Sequence, residues 1–160
     1  MTIEIRPVTV QYDRDIRQII EQVGKEFGAF GEGFGPSDPE VQAMSQHYLP
    51  QQGALYLVAL KDDKVIGGCG VAPFSKEKNV CELKKLFLLP ESRGLGAGKQ
   101  LTIECLAFAQ QFGYAACYLD TLSNMTTAIH MYEGFGFEYL DKPMEETLHG
   151  KCDVWMLKKL

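Results

Sequence analysis

The run from Val80 to Gln100 reads VCELKKLFLLPESRGLGAGKQ, and it joins two different kinds of local order. Val80 to Leu89 has the apolar density and length of a buried strand, closed by Pro90. From Gly96 onward Leu101, Cys105, Phe108 and Phe112 recur at helical spacing until Gly113, which predicts a helix ended by that glycine. Between strand and helix lie Arg93, Gly94, Leu95, Gly96, Ala97 and Gly98. Glycines in alternate positions let consecutive backbone N–H groups turn toward one ligand without a Cβ in the way. The helix start adds unpaired donors and a partial positive charge. Phosphate is the natural guest of such a loop, and Arg93 can add a charge-assisted contact.

Two nucleotide-binding patterns do not fit this spacing. A P-loop needs Gly five places before Gly98 and Ser or Thr after Lys99, where this chain has Arg93 and Gln100. A Rossmann fingerprint counted from Gly94 needs Gly where Lys99 stands, although Asp120 at the end of the next strand would mimic its ribose-binding acid. The remaining readings are a phosphate cradle and a plain tight turn.

Outward from this run, residues 3–10 alternate loosely and read as a strand, and Ile16, Ile19, Ile20, Val23 and Phe27 mark one face of a helix. Gly28 to Pro39 carries four glycines and two prolines with Phe30 and Phe34, the composition of a mobile loop. A short helix is expected over Glu40–Tyr48, then strands over Leu55–Leu60 and Val65–Phe74 with a turn at Asp62 and Asp63. Gly67, Gly68 and Gly70 inside the second of these predict a bulge or a close backbone approach. Ala115–Asp120 reads as a strand with Cys117 and Leu119 on one face. Ser123 or Asn124 can cap a helix that turns Ala128, Ile129, Tyr132 and Phe135 inward. Strands over Phe137–Leu140 and Cys152–Leu157 finish the chain, with Trp155 filling the core. The order is that of an α+β, three-layer domain around a mixed sheet.

Residues 1–160, 46% of them hydrophobic and 23% charged, suffice for one core and are read as one domain. A net charge of −5 argues against nucleic acid as a partner. The five cysteines include no CxxC pair, which weakens metal-site and disulfide-framework readings. His47, His130 and His149 have no partner at ligand spacing, so no metal is expected; His149, on the loop before the last strand, is read as structural. Without an 18-residue apolar run or a signal-like start, neither membrane nor secretion is expected, and the compartment is read as cytoplasmic.

The segment from Val80 to Leu140 resembles the GCN5-related N-acetyltransferases. Arg93, Gly96 and Gly98, with Gly94 after the arginine, match that family's signature loop. Glu82 to Pro90 resembles its fourth strand, and Tyr132, Gly136 and Phe137 its Tyr-x-x-x-Gly-Phe helix end. The resemblance implies a mixed, mostly antiparallel sheet whose central parallel strands splay apart around acetyl-CoA. It places the pyrophosphate on Arg93–Gly98 and the pantetheine along the main chain of Phe87, Leu88 and Leu89. It implies a primary amine as acceptor, attacking the thioester directly in a ternary complex. Glu82 stands where several members carry a catalytic carboxylate; the alternative is a strand-edge carboxylate paired with Lys84 or Lys85. Tyr132 matches the tyrosine that donates a proton to the departing thiolate; the alternative is a core aromatic. Where many members have an asparagine, this chain has Met125, so Asn124 either contacts the cofactor or caps the helix. Cys117 has no base near it in sequence, which disfavours a covalent acyl-cysteine route. Glu26, Glu32 and Asp38 flank or occupy the Gly28–Pro39 loop as partners for a cationic acceptor, and the loop's phenylalanines suit a lid; the alternative is an ordinary solvated loop. Dimers are common in the family. A second reading is an acetyl-CoA-binding sensor that does not catalyse, and a third is an ATP- or NAD-binding protein.

Overall fold

A computed structural model describes residues 2–160; Met1, part of the N-terminal reading above, lies outside the described residues. One seven-stranded sheet has the order β1-β2-β3-β4-β5-β7-β6, made of β1 Ile3–Pro7, β2 Leu55–Lys61, β3 Lys64–Ser75, β4 Val80–Leu88, β5 Ala116–Thr121, β6 Glu138–Tyr139 and β7 Val154–Lys159. Every pairing is antiparallel except β4 with β5. Helix α1, Val10–Glu26, covers one face; α2, Ala97–Phe112, and α3, Thr126–Gly134, cover the other.

The helix faces follow their apolar spacing. Ile16, Ile19, Ile20 and Val23 of α1 are buried with Val58 and Leu60 of β2. On the opposite face Leu101, Cys105 and Ala109 of α2 pack with Cys117, Leu119 and Tyr132. Phe112, at the end of α2, is half exposed and stacks on Phe108 and against Tyr114. Among the described residues no helix is long and apolar enough to cross a membrane.

The β3 glycines make room for one aromatic ring. A Cβ at Gly68 would lie 2.7 Å from Tyr56 ring atoms, and one at Gly70 would lie 2.5 Å away. Tyr56 crosses β3 over these positions, and its hydroxyl donates to the Lys85 carbonyl on β4 at 2.8 Å. That carbonyl lies in a bulge, where Gly68 pairs with Phe87 but Gly70 with Lys84, and Lys85 takes φ 56°. A bulge bends its strand. Here it also sends two consecutive side chains, Lys84 and Lys85, toward the α1 side, where both reach Glu40.

Four boundaries differ from the sequence reading. The helix expected over Glu40–Tyr48 is a 3-10 segment, Pro39–Gln46, kinked at Ala43; Asp13 of α1 accepts the Ser45 N–H at 2.8 Å and competes with a helical bond there. The Ser123 and Asn124 caps of α3 are absent. Ser123 donates to Asp153 and Asn124 donates to the Phe27 carbonyl, leaving Met125 at the uncapped start. The strand expected over Phe137–Leu140 shortens to β6. The last strand begins at Val154, two residues late, because the Asp153 carboxylate is held by Ser123. Trp155 is only partly buried, against Tyr118 under loop cover, while Met156 occupies the core.

Candidate active site

Parallel pairing of β4 with β5 covers only Val80↔Ala116, Cys81↔Cys117 and Glu82↔Tyr118. Past Glu82 the strands part, and the facing backbone edge of β4 has no strand partner. The gap opens into two adjoining clefts, one of about 270 Å³ and one of about 70 Å³.

The larger cleft lies between β4 and the start of α2. Gly94 and Gly96 hold φ values of 82° and 84°, a left-handed conformation that disfavours a side chain. Gly98 serves differently, since a Cβ there would come within 3.2 Å of Leu88. The first N–H groups of α2 have no side-chain cap, an arrangement suited to an anion. Phe87, Leu88, Arg93, Gly94, Gly96, Ala97, Gly98 and Asn124 all line this cleft. Two expected residues do not. The Leu89 N–H is spent on the Ile66 carbonyl at 2.9 Å, and its side chain packs beside the α1 core; Leu95 is largely exposed. Arg93 is also differently employed. Its guanidinium grips Glu26 bidentately at 2.6 and 2.8 Å, bonds the Leu88 carbonyl at 3.0 Å and stacks over Phe27. Hydrogen bonds to Glu26 raise its pKa. Glu26 is therefore engaged by Arg93.

The smaller cleft lies at the divergence point and is lined by Glu82, Asp120, Tyr132 and His149, with Phe34 and Pro36 from the Gly28–Pro39 segment. That segment is ordered by short turns, including a 3-10 turn over Gly35–Ser37; a Cβ at Gly24 of α1 would meet Pro36 at 2.8 Å. Tyr132 is buried with its ring edge-on to Phe137, and burial pushes its phenol far above the ordinary range. Cys117 is fully buried, and desolvation pushes its thiol well up, which disfavours a thiolate nucleophile there.

His149, read as structural from the sequence, has the densest polar surroundings of the site. Its Nε2 lies 2.8 Å from Asp38, and its Nδ1 lies 3.0 Å from Asp120 and 3.5 Å from Glu82. Burial pushes its pKa down, but hydrogen bonding to Asp120, Asp38 and Glu82 outweighs this and lifts it to about 11. Burial likewise pushes Asp38 up, yet His149 and Lys85 hold it at about 2. The His149 contribution to stability is thus complete below its ordinary 6.5 and is lost as pH rises toward about 11. That of Asp38 is complete above its ordinary 3.8 and is lost as pH falls toward about 2. Glu82, Asp120 and His149 each offer one ligand atom, all within 4.8 Å of one another, and form the one trio among the described residues that could hold a metal ion. The sequence reading therefore missed both the partners of His149 and this trio. Sequence distance hides His149. Asp120, by contrast, carries a signal: it ends the parallel strand beside Glu82, and strand carboxyl ends border sites in such sheets.

Lys85 anchors this cluster from below, its ammonium 2.8 Å from Asp38 and 3.2 Å from Glu40 with its side chain almost wholly buried. Removing one partner of a buried ion pair leaves uncompensated charge. Lys85→Met is expected to lower the unfolding free energy by about 3–5 kcal/mol, measurable by urea titration; a loss within error would show that the pair contributes nothing net.

A sheet split after one short parallel pairing, with a glycine loop and helix start at one side of the split, defines the acyl-CoA N-acyltransferase class of fold. Residues 20–137 match the Acetyltransferase (GNAT) family model. The chain is 36% identical over 158 residues to the Escherichia coli K12 protein described as uncharacterized N-acetyltransferase YjgM, covering 98% of this chain and 94% of that one. A GNAT-family acetyltransferase structure from Staphylococcus aureus Mu50 superposes with a TM-score of 0.83 at 20% identity, covering 99% of both chains. The PaiA N-acetyltransferase of Thermoplasma acidophilum, solved with coenzyme A, superposes with a TM-score of 0.79 at 22% identity, covering 100% of both. The chain belongs to the GNAT acetyltransferase family, and it is an acyltransferase.

Proposed function

We propose that this chain transfers the acetyl group of acetyl-CoA to a primary amine by direct attack in a ternary complex. The separation of β4 from β5 just past Glu82 carries the reading, because it puts the glycine loop beside one cleft and a carboxylate cluster in the next. The uncapped N–H groups around Gly96, Ala97 and Gly98 suit the pyrophosphate, and the unpaired edge of β4 at Phe87 and Leu88 suits the pantetheine amides. The Thermoplasma relative's coenzyme A complex supports this placement by likeness of fold.

Acetyl-CoA supplies an activated thioester carbon, to which the amine nitrogen bonds as the carbon–sulfur bond breaks. A lysine-like ammonium has a pKa of about 10.4, so only about one molecule in a few thousand is neutral at pH 7. Glu82 takes the amine proton, directly or through one water. Tyr132, held protonated by its burial, gives its proton to the departing thiolate, which leaves as the CoA thiol, and the phenolate is reprotonated from solvent.

Acetyl-CoA is expected to stabilise the protein by about 2.7 kcal/mol at 100 times its Kd, a rise of several degrees in Tm for a chain of this size. ATP and NAD should give no shift, and stabilisation by either would favour the nucleotide-binding reading. Free CoA release across a panel of amines, with mass spectrometry of the products, tests the reaction. Tight acetyl-CoA binding without turnover on any amine would favour a sensor.

A further inference from the structure

Both ring nitrogens of His149 face carboxylate oxygens at 3.0 Å or less, Nε2 on Asp38 and Nδ1 on Asp120. A neutral imidazole has one N–H and one lone pair, so either tautomer would turn a lone pair onto an anion. Only the imidazolium donates on both sides. We propose that His149 is a positioning residue, an imidazolium clasped by Asp38, Glu82 and Asp120 that orients the Glu82 carboxylate at the acceptor end. This rests on the assignment of Glu82 as the base.

The clasp joins separate parts of the chain. Asp38 lies between two 3-10 segments, Glu82 on β4, Asp120 on β5 and His149 on the loop before β7. The same loop is tied to the Gly28–Pro39 segment by the Lys151 N–H, which donates to the Gly33 carbonyl at 3.3 Å. Glu82 also faces Lys84 at 3.8 Å, with the Tyr48 and Tyr118 hydroxyls and the Cys152 thiol in electrostatic reach. Asp120 accepts from Tyr118 and Thr147. Lys84 and Lys85 are shared with Glu40, and Lys85 also with Asp38. Asp38, Glu40, Glu82 and Asp120 thus oppose Lys84, Lys85 and His149, so the imidazolium leaves one negative charge and a neutral ring would leave two.

Nitrogen-15 NMR of the unmodified protein should show both His149 ring nitrogens protonated from pH 6 to 8.5; deprotonation of either one within that range overturns the proposal. His149→Gln, which cannot donate on both sides, should lower kcat by up to about 10²-fold, the cost of a misplaced group, with acetyl-CoA affinity unchanged. His149→Lys, which keeps a cation, should restore most of that loss. A purely structural role would lower both variants' rates alike, which would also overturn the proposal. A variant that does not fold leaves the nitrogen spectrum to decide. A Glu82→Gln enzyme with wild-type turnover would instead overturn the base assignment on which the kinetic prediction rests, and the nitrogen spectrum still tests the imidazolium.

Discussion

Glu82→Gln is expected to lower kcat by about 10²–10⁴-fold, the range a positioned general base contributes, while acetyl-CoA affinity changes little. The side chain is buried on β4 at the last residue paired with β5, in the smaller cleft and not among the residues lining the larger one. An effect on chemistry and not on donor binding is the signature of that placement. Equilibrium dialysis with acetyl-CoA and single-turnover acetylation separate the two readouts. A variant with wild-type turnover would remove Glu82 from the mechanism and return it to the bland reading of a carboxylate balancing Lys84. A loss confined to KM for the amine would make it a binding anion only.

Tyr132→Phe is expected to lower kcat by about 10²-fold or more, within the range for a lost proton donor, with little change in stability. The phenyl ring keeps the edge-on contact with Phe137, so the substitution deletes the hydroxyl and little else. Burial holds the phenol protonated across the working pH range. The variant should therefore show no new titration in its pH profile, only a uniform drop. Thioesters with better leaving thiols should be impaired less than acetyl-CoA, because they need less help at sulfur. Full activity in Tyr132→Phe would leave the residue a core aromatic.

The parts of this molecule that were legible in the sequence are those with local causes. The α1 stripe of Ile16, Ile19, Ile20 and Val23 is set by a 3.6-residue period, and the turn into α2 by left-handed Gly94 and Gly96. The β3 glycines announced a close approach, which proved to be Tyr56 crossing the strand. What escaped was decided between distant segments. Asp13 draws the Ser45 backbone out of a helix, and Asp153 diverts Ser123 from a cap. The same holds at the site. Glu82 and Tyr132, picked out by neighbouring motif residues, line the smaller cleft, whereas His149 meets Asp38 across 111 positions and Asp120 across 29. No periodicity or spacing encodes a meeting of that kind. Arg93 shows the converse: a local motif suggested a phosphate contact, and a tertiary partner, Glu26, already holds the guanidinium.

That pairing changes how an anion would be received. The end of α1 is moored to both walls of the larger cleft, by Glu26 to Arg93 on one side and by the Phe27 carbonyl to Asn124 on the other. A diphosphate reaching the loop meets a guanidinium that already has a counterion, so any contact with Arg93 is an exchange of one anion for another and yields little net attraction. Reception of an anion would then fall to the backbone N–H groups of Gly96 to Gly98, whose partial positive charge no side-chain cap consumes.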